Sequence, residues 1–349
     1  MHRLLGIDIL RGLAAGAVLL YHYTYWYPRQ FGIINAAPLT FIYGNYGVEL
    51  FFIISGFVIF MTVERSKALW NFVVSRVSRL YPAFWVAVAL TTIVVSVSRV
   101  PLPSPSISQV AANATMMPRL FRFAAIDPVY WTLYYEMLFY FLMALVLATG
   151  NLARIGMVCA AWLCLSLFIQ LVEPYFSADS YAIAVGLTGA RCCNLFVIGI
   201  MLYRLKTQKF YTPTVILLIS AILMSAWGPM LSFEPISRVV YVSMIAAFAG
   251  LVWVTVSYEA LFSWCTPLLF LGDISYSLYL IHQNVGYSIM FELDDYGISY
   301  PAAILPAILV VILLAAAIRR FIEIPCQRHL RKALSWRNGL PGVHPMPRT

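Results

Sequence analysis

Charge is scarce in this chain. Only 11% of its 349 residues are Asp, Glu, Lys or Arg, while 62% are hydrophobic. That balance excludes an ordinary soluble domain, whose charged share is about a quarter, and describes a polytopic membrane protein. Acidic residues are the rarer sign, 14 against 23 basic. The six cysteines lack zinc-type spacing: Cys159, Cys164, Cys192, Cys193 and Cys265 fall in apolar runs and Cys326 follows the last one. They read as small buried residues, and no metal is expected. No cleavable signal peptide is evident, since Asp8 and Arg11 interrupt the first apolar stretch and no small-residue cleavage site follows. Nor does residue 1–170 repeat as 171–349 with broken helices at matching positions, which leaves a secondary transporter or sugar flippase as the alternative function and not the first choice.

What the chain does contain is a series of apolar runs long enough to span lipid, near residues 5–26, 47–63, 80–98, 129–149, 153–172, 182–203, 212–231, 239–257, 264–286 and 301–318. The expected fold class is all-α, a membrane bundle of about ten helices. Basic connecting segments mark the cytoplasmic side: Arg3, then Arg65 to Arg79, Arg154, Arg204 to Lys209, and Arg319 to Arg348. Both termini are therefore expected in the cytoplasm. The net charge of +9 is mainly this topology signal, and nothing calls for nucleic acid. Residues 1–325 are expected to form the membrane domain and 326–349 a short basic tail, disordered at its end. The segment from Val100 to Ser108 carries three prolines with serines among them, which excludes helix and makes this long external loop a candidate for acceptor binding.

Ionisable residues within the spans need a partner or a job, because each costs roughly 2.5–3.5 kcal/mol at the bilayer centre. Arg11 and His22 share a helix face, since eleven residues at about 100° each come within about 20° of three turns, and they lie roughly 16 Å apart along the axis. Asp8 joins that face and can neutralise Arg11. Topology then sorts the polar residues by depth. His22, Glu49, Glu136 about 8 Å into its helix, and His282 with Ser275, Tyr276 and Tyr279 converge near the outer side. Two imidazoles, two carboxylates and several hydroxyls at one level resemble an acid–base site. At the inner side Arg76 and Arg79, three apart on a cytoplasmic amphipathic segment, suit a polyanion such as phosphate. Each residue also admits a structural reading: helix capping for His22, positive-inside anchoring for the arginines, hydrogen bonding to a tyrosine for Glu136, interfacial placement for Trp131, Tyr276 and Tyr279. Ser55-Gly56 reads as a close helix contact in place of a catalytic serine. Arg191, alone in the sixth run, has no evident partner.

These residues fall in blocks that resemble the acyltransferase-3 family of integral membrane acyltransferases, which includes bacterial exopolysaccharide and lipopolysaccharide O-acetyltransferases. The likeness runs through Gly6-Ile-Asp-Ile-Leu-Arg11 with His22, Gly47-Val-Glu-Leu-Phe-Phe-Ile-Ile-Ser-Gly-Phe57, Ser75-Arg-Val-Ser-Arg-Leu-Tyr-Pro-Ala-Phe84, Trp131-Thr-Leu-Tyr-Tyr-Glu136, Leu271-Gly-Asp-Ile-Ser-Tyr-Ser-Leu-Tyr-Leu-Ile-His282 and Glu323-Ile-Pro325. Glu49 stands where aspartate is common, and Tyr134-Tyr135 where a serine is common. The resemblance implies transfer of an acyl group, usually acetyl, from cytoplasmic acetyl-coenzyme A to a hydroxyl of a cell-surface or lipid-linked glycan, in the bacterial inner membrane and without a metal. It implies that Arg11 and His22 are essential and that Arg76 and Arg79 contact the donor; on the reading of the residues themselves, Asp8 and Glu136 are expected to join catalysis, Arg11 to join the donor contacts, and Glu49, Trp131, Tyr135, Tyr276, Tyr279 and His282 to surround the acceptor. Expected partners are acyl-coenzyme A, the glycan and membrane lipid, with homo-oligomerisation open.

Overall fold

The computed structural model describes residues 4–33, 39–66, 68–208, 211–228, 230–231, 236–262 and 266–337. Among them every regular element is helical, as lipid demands of a backbone that must satisfy its own hydrogen bonds. The α-helices in chain order are α1 Leu5–Tyr21, α2 Tyr27–Phe31, α3 Gly47–Glu64, α4 Leu69–Val97, α5 Ile107–Asn113, α6 Trp131–Ala148, α7 Ile155–Leu171, α8 Ala178–Thr188, α9 Cys193–Gln208, α10 Thr212–Met224, α11 Arg238–Ser257, α12 Thr266–Asp295, α13 Tyr300–Ile318 and α14 Ile324–Arg337.

Eight helical stretches among the described residues are long and apolar enough to cross a bilayer: Leu5–Phe31, Ile42–Glu64, Leu69–Val97, Pro128–Ala148, Asn151–Leu171, Ala178–Gln208, Arg238–Ser257 and Tyr300–Leu330. They coincide with eight of the expected runs. The other two differ in kind. The run 212–231 is helical only over the 13 residues of α10. The run 264–286 lies in α12, whose 30 residues reach about 45 Å, but whose Ser, Tyr, His, Gln and Asn residues lower its hydropathy.

Those polar residues are the reason α12 holds the centre. From Ile274 to Met290 it is buried almost all round, including Ser275, Ser277, His282, Gln283, Asn284 and Ser288, and it packs against α1, α13 and α4. Lipid tails offer no hydrophobic drive between helices, so close backbone approach and interhelical hydrogen bonds must hold such a core. Both occur. Where α12 crosses α1, a Cβ on Gly272 would lie 2.2 Å from the Asp8 carbonyl oxygen and one on Gly12 2.6 Å from the Gly272 nitrogen, so only glycine fits there. Tyr23 donates to the His282 carbonyl at 2.7 Å, and Ser277 donates to Glu323, which also pairs with Arg319 at 2.9 Å. A second helix group forms around α9, which packs on α3, α10, α11 and α7. Gly56 and Gly199 face each other across the α3–α9 contact, the close helix contact expected of Ser55-Gly56. Phe196 stacks on Phe139 with centroids 4.2 Å apart, which ties α9 to α6.

Three local features bear on the site. A π-helical turn, His22–Trp26, joins α1 to α2, and such turns re-aim side chains within a continuous helix. Arg76 and Arg79 sit on the same unbroken helix as the fourth-element span, not on a separate cytoplasmic segment. The sixth run is interrupted: Gly189 takes φ 66°, and Arg191 lies in the turn between α8 and α9. Helix α14 spans the boundary placed at 325; residues 338–349, like Cys265, lie outside the described residues. The loop after α4 has no helix from residue 98 to 106, as its prolines require, whereas Ile107 and Ser108, expected to be non-helical with it, open α5 beyond the last proline. Its later part is pinned. Trp85 donates to the Ala114 carbonyl at 2.9 Å, Asn113 to that of Ala124 at 3.0 Å, and the Asp127 carboxylate accepts from the amides of Val129 and Asn284 at 3.2 and 3.0 Å.

Candidate active site

Two cavities meet at the heart of the bundle. The first, about 80 Å³, lies between α1, α3, α4, α6 and α12 and is lined by Arg11, Arg76, Arg79, Glu136 and Tyr140 among apolar side chains of α3. Three guanidiniums there face one lining carboxylate. Tyr140 donates to Glu136 at 2.5 Å, and the electrostatic neighbours of Arg11 are Arg79, Asp8, Glu136 and Tyr140. Arg76 is only 8% exposed. Its Nη2 reaches the Ser75 hydroxyl at 3.1 Å, while Nε and Nη1 have no hydrogen-bond partner. Buried donors left unpaired carry a desolvation penalty that an anion in the cavity would relieve.

The second cavity is larger, about 460 Å³, and is lined by His22, Trp26, Trp131, Tyr134, Arg119 and Arg191, with Val48 and Tyr279 shared with the first. The loop between α5 and α6 forms one wall through Pro118, Arg119 and Phe123 to Ala125, downstream of the proline-rich stretch singled out from the sequence. Tyr279 stands at the junction, held by Thr132 at 3.0 Å and by the Val129 carbonyl at 3.2 Å.

His22 is paired with His282. The Nδ1 of His22 lies 2.9 Å from the Val18 carbonyl and 3.1 Å from Nε2 of His282, whose own Nδ1 lies 2.8 Å from the Tyr279 carbonyl. A carbonyl only accepts, so each Nδ1 carries the proton in the neutral rings and each Nε2 is left basic. One tautomer pattern satisfies every contact: His282 Nε2 accepts from His22 Nδ1, and His22 Nε2 keeps a free lone pair on the ring that borders the cavity. That arrangement can take a proton and share the resulting charge with a second imidazole.

Measured against the sequence, the structure keeps Arg11, Arg76 and Arg79 together and puts Trp131 and Tyr279 beside the His22 cavity. It relocates others. Glu136 lines the arginine cavity in place of the imidazole level, because it shares a face of α6 with Thr132 and Tyr140, about 140° round from Trp131. Tyr276 and Ser275 go with it. Tyr135 lines neither cavity; Tyr134, three residues from Trp131, takes its place. Glu49 lines neither. It is fully buried, accepts from Tyr241 at 3.3 Å and has Arg191 as an electrostatic neighbour. His282 stands behind His22 without lining the cavity. Asp8 sits beside Arg11 with its backbone against Gly272. Sequence reasoning missed Tyr140, which its i+4 spacing from Glu136 signals, and Arg119, which reads there as one more loop charge.

An all-helical membrane bundle that sets a free imidazole nitrogen next to a guanidinium-lined cavity has the parts for group transfer within lipid. The chain belongs to the acyltransferase-3 family, whose model, described as an acyltransferase domain, matches residues 4–320. It is also 26% identical over 311 residues to Nodulation protein 10 of Rhizobium leguminosarum bv. viciae, covering 81% of this chain and 83% of that protein. No solved structure matches significantly. The protein is therefore an integral membrane acyltransferase.

Proposed function

We propose that the protein transfers an acyl group, most simply acetyl, from cytoplasmic acyl-coenzyme A to a hydroxyl of a cell-surface or lipid-linked glycan. The observation that carries this is the adjacency of a guanidinium-lined cavity and an imidazole-lined cavity that share Val48 and Tyr279 in their walls. Coenzyme A bears phosphates that cannot enter hydrocarbon. Arg76 and Arg79 would hold them at the inner side, with Arg11 deeper along the same cavity, while the uncharged pantetheine arm carries the thioester past Tyr279. The excess of basic residues in the connecting segments on that side supports the cytoplasmic assignment and both termini inside.

At His22 the acceptor hydroxyl gives its proton to Nε2 as its oxygen attacks the thioester carbonyl. The carbon–sulfur bond then breaks, and the leaving thiolate takes the proton back from the imidazolium. His282, accepting from Nδ1, fixes the tautomer and shares the positive charge, the part an acidic residue plays in a hydrolase triad. Glu136 and Asp8 balance the arginines, and their service to catalysis is through that balance.

The test is coenzyme A release by membranes containing the protein, given acetyl-coenzyme A and extracted glycan. Release that requires both is expected. A transporter gives none. Labelled donor supplied alone checks the direct route, which a labelled His22 would overturn in favour of an acyl-enzyme.

A further inference from the structure

The larger cavity holds more positive charge than a neutral sugar can use. Arg191 and Arg119 both line it, and among the described lining residues there is no Asp or Glu. Neither arginine forms an ion pair with a described carboxylate, and Nε of Arg191 is buried without a hydrogen-bond partner. The two charges converge, since both act on the Tyr135 phenol just behind the cavity wall. Glu49 faces Arg191 from the protein side, with one oxygen accepting from Tyr241 and the other without a hydrogen-bond partner, but it lies outside the cavity lining and leaves the cavity side of Arg191 without a carboxylate. An unpaired guanidinium within a bundle is kept only where something is there to meet it.

The aromatic floor completes the picture. Arg191 lies 5.3 Å over the Trp131 ring, so one face of an indole and a guanidinium are presented side by side, and Gln283 adds a buried amide oxygen with no partner of its own. An apolar ring face suits the C–H face of a sugar, and the amide oxygen suits a sugar hydroxyl. The helix break that delivers Arg191, at Gly189, fits the rule that irregular backbone at membrane depth is tolerated where it lines a polar cavity.

We infer that the acceptor is an anionic glycan: a sugar bearing a carboxylate or phosphate close to the acylated hydroxyl, gripped by Arg191 and Arg119 against Trp131. On the acyl-transfer reading above, this names the substrate class. A uronate within the glycan and the diphosphate of a lipid carrier offer the same chemistry, so the experiment separates them.

Membranes or nanodiscs containing the full chain would be given acetyl-coenzyme A with one of three acceptors: glucuronate-containing oligosaccharide, the matched glucose oligosaccharide, or prenyl-diphosphate-linked glucose. We expect kcat/KM for one or both anionic acceptors to exceed that for the neutral one by at least tenfold and to fall with added salt; the better anionic arm identifies the source of charge. Arg191→Gln should raise KM for the anionic acceptor about tenfold to a hundredfold, the range of a charge-assisted hydrogen bond. The KM for donor should stay unchanged, and Arg191→Lys should recover part of the loss. Equal use of neutral and anionic acceptors, or equal loss on both in Arg191→Gln, would overturn the inference while leaving acyl transfer intact. No coenzyme A release from the wild type with any acceptor, despite measurable donor binding, would remove the acyl-transfer reading and this inference with it. Arg119→Gln, at an exposed loop position, repeats the test where the fold is not at stake.

Discussion

The two cavities solve opposite problems. One has charge and little room, three guanidiniums around about 80 Å³; the other has room and a single imidazole base, about 460 Å³ walled by tryptophan, tyrosine and a pinned loop. Helices alone build the first, so its arginines are fixed by packing on α1 and α4. A loop helps build the second, the cavity in which the proposed glycan acceptor would come and go. The contrast fits a conserved chemical handle on one side and a variable one on the other: any acyl-coenzyme A carries the same phosphates, whereas glycans differ.

Removing the base should separate the two most sharply. His22→Ala is expected to lower transfer about 10²–10⁴-fold, with donor binding retained and the protein still inserted, as followed by coenzyme A release and by isotope-labelled donor binding. Full activity in that variant would sink the proposed base. Next in size, Arg76→Ala should raise the apparent KM for acyl-coenzyme A about tenfold to a hundredfold and leave the KM for acceptor where it was. An unchanged donor dependence would return Arg76 to simple anchoring and erase the difference between the cavities.

Much of this was legible in the residue pattern, and the failures have a common cause. Periodicity along α1 puts Arg11 and His22 on one face, and the Arg76–Arg79 spacing puts two guanidiniums on one side of α4, so the parts of the charged cavity follow from single-helix geometry. Relations between helices do not. Glu136 is at a depth that suits His22, yet rotation about α6 turns it to the arginines, and depth alone carries no angle. His282 stands out as a polar residue in a span, but its bond to His22 depends on the α1–α12 crossing that Gly12 and Gly272 permit, which is a packing fact. The run 264–286 reads as a span like the others, whereas the burial of α12 among other helices, which lets it carry so many polar residues, is a packing fact. Arg191 is conspicuous as a lone charge; the turn that presents it is announced only by Gly189.

A smaller effect sharpens the mechanism inside the imidazole cavity. His282→Phe keeps an aromatic ring but removes the acceptor for His22 Nδ1, so kcat is expected to fall about tenfold with both KM values unchanged. His282→Gln, whose amide oxygen can accept, should recover part of that loss. A merely structural role would lower folded yield or raise both KM values instead, and steady-state kinetics at saturating and limiting substrate distinguish the two.

The smallest expected effect concerns the loop wall, and it separates the cavities by pH. Asp127, just before the span that begins at Pro128, accepts from Val129 and Asn284 and so ties the wall of the larger cavity to α12. Burial pushes its carboxyl up to about 7, against the pull of those two amides. In the unfolded chain the group titrates near its ordinary value of about 3.9. Because the folded state holds the proton more tightly, its contribution to stability is full below pH about 4, declines as pH rises toward about 7 and is lost above it. The apparent melting temperature of detergent-solubilised protein should therefore fall between pH 5 and pH 8, and Asp127→Asn, which cannot ionise but can still accept a hydrogen bond, should flatten that slope. A slope that survives in Asp127→Asn would assign the pH sensitivity to another group and leave the loop wall as firmly held as the helices around the arginines.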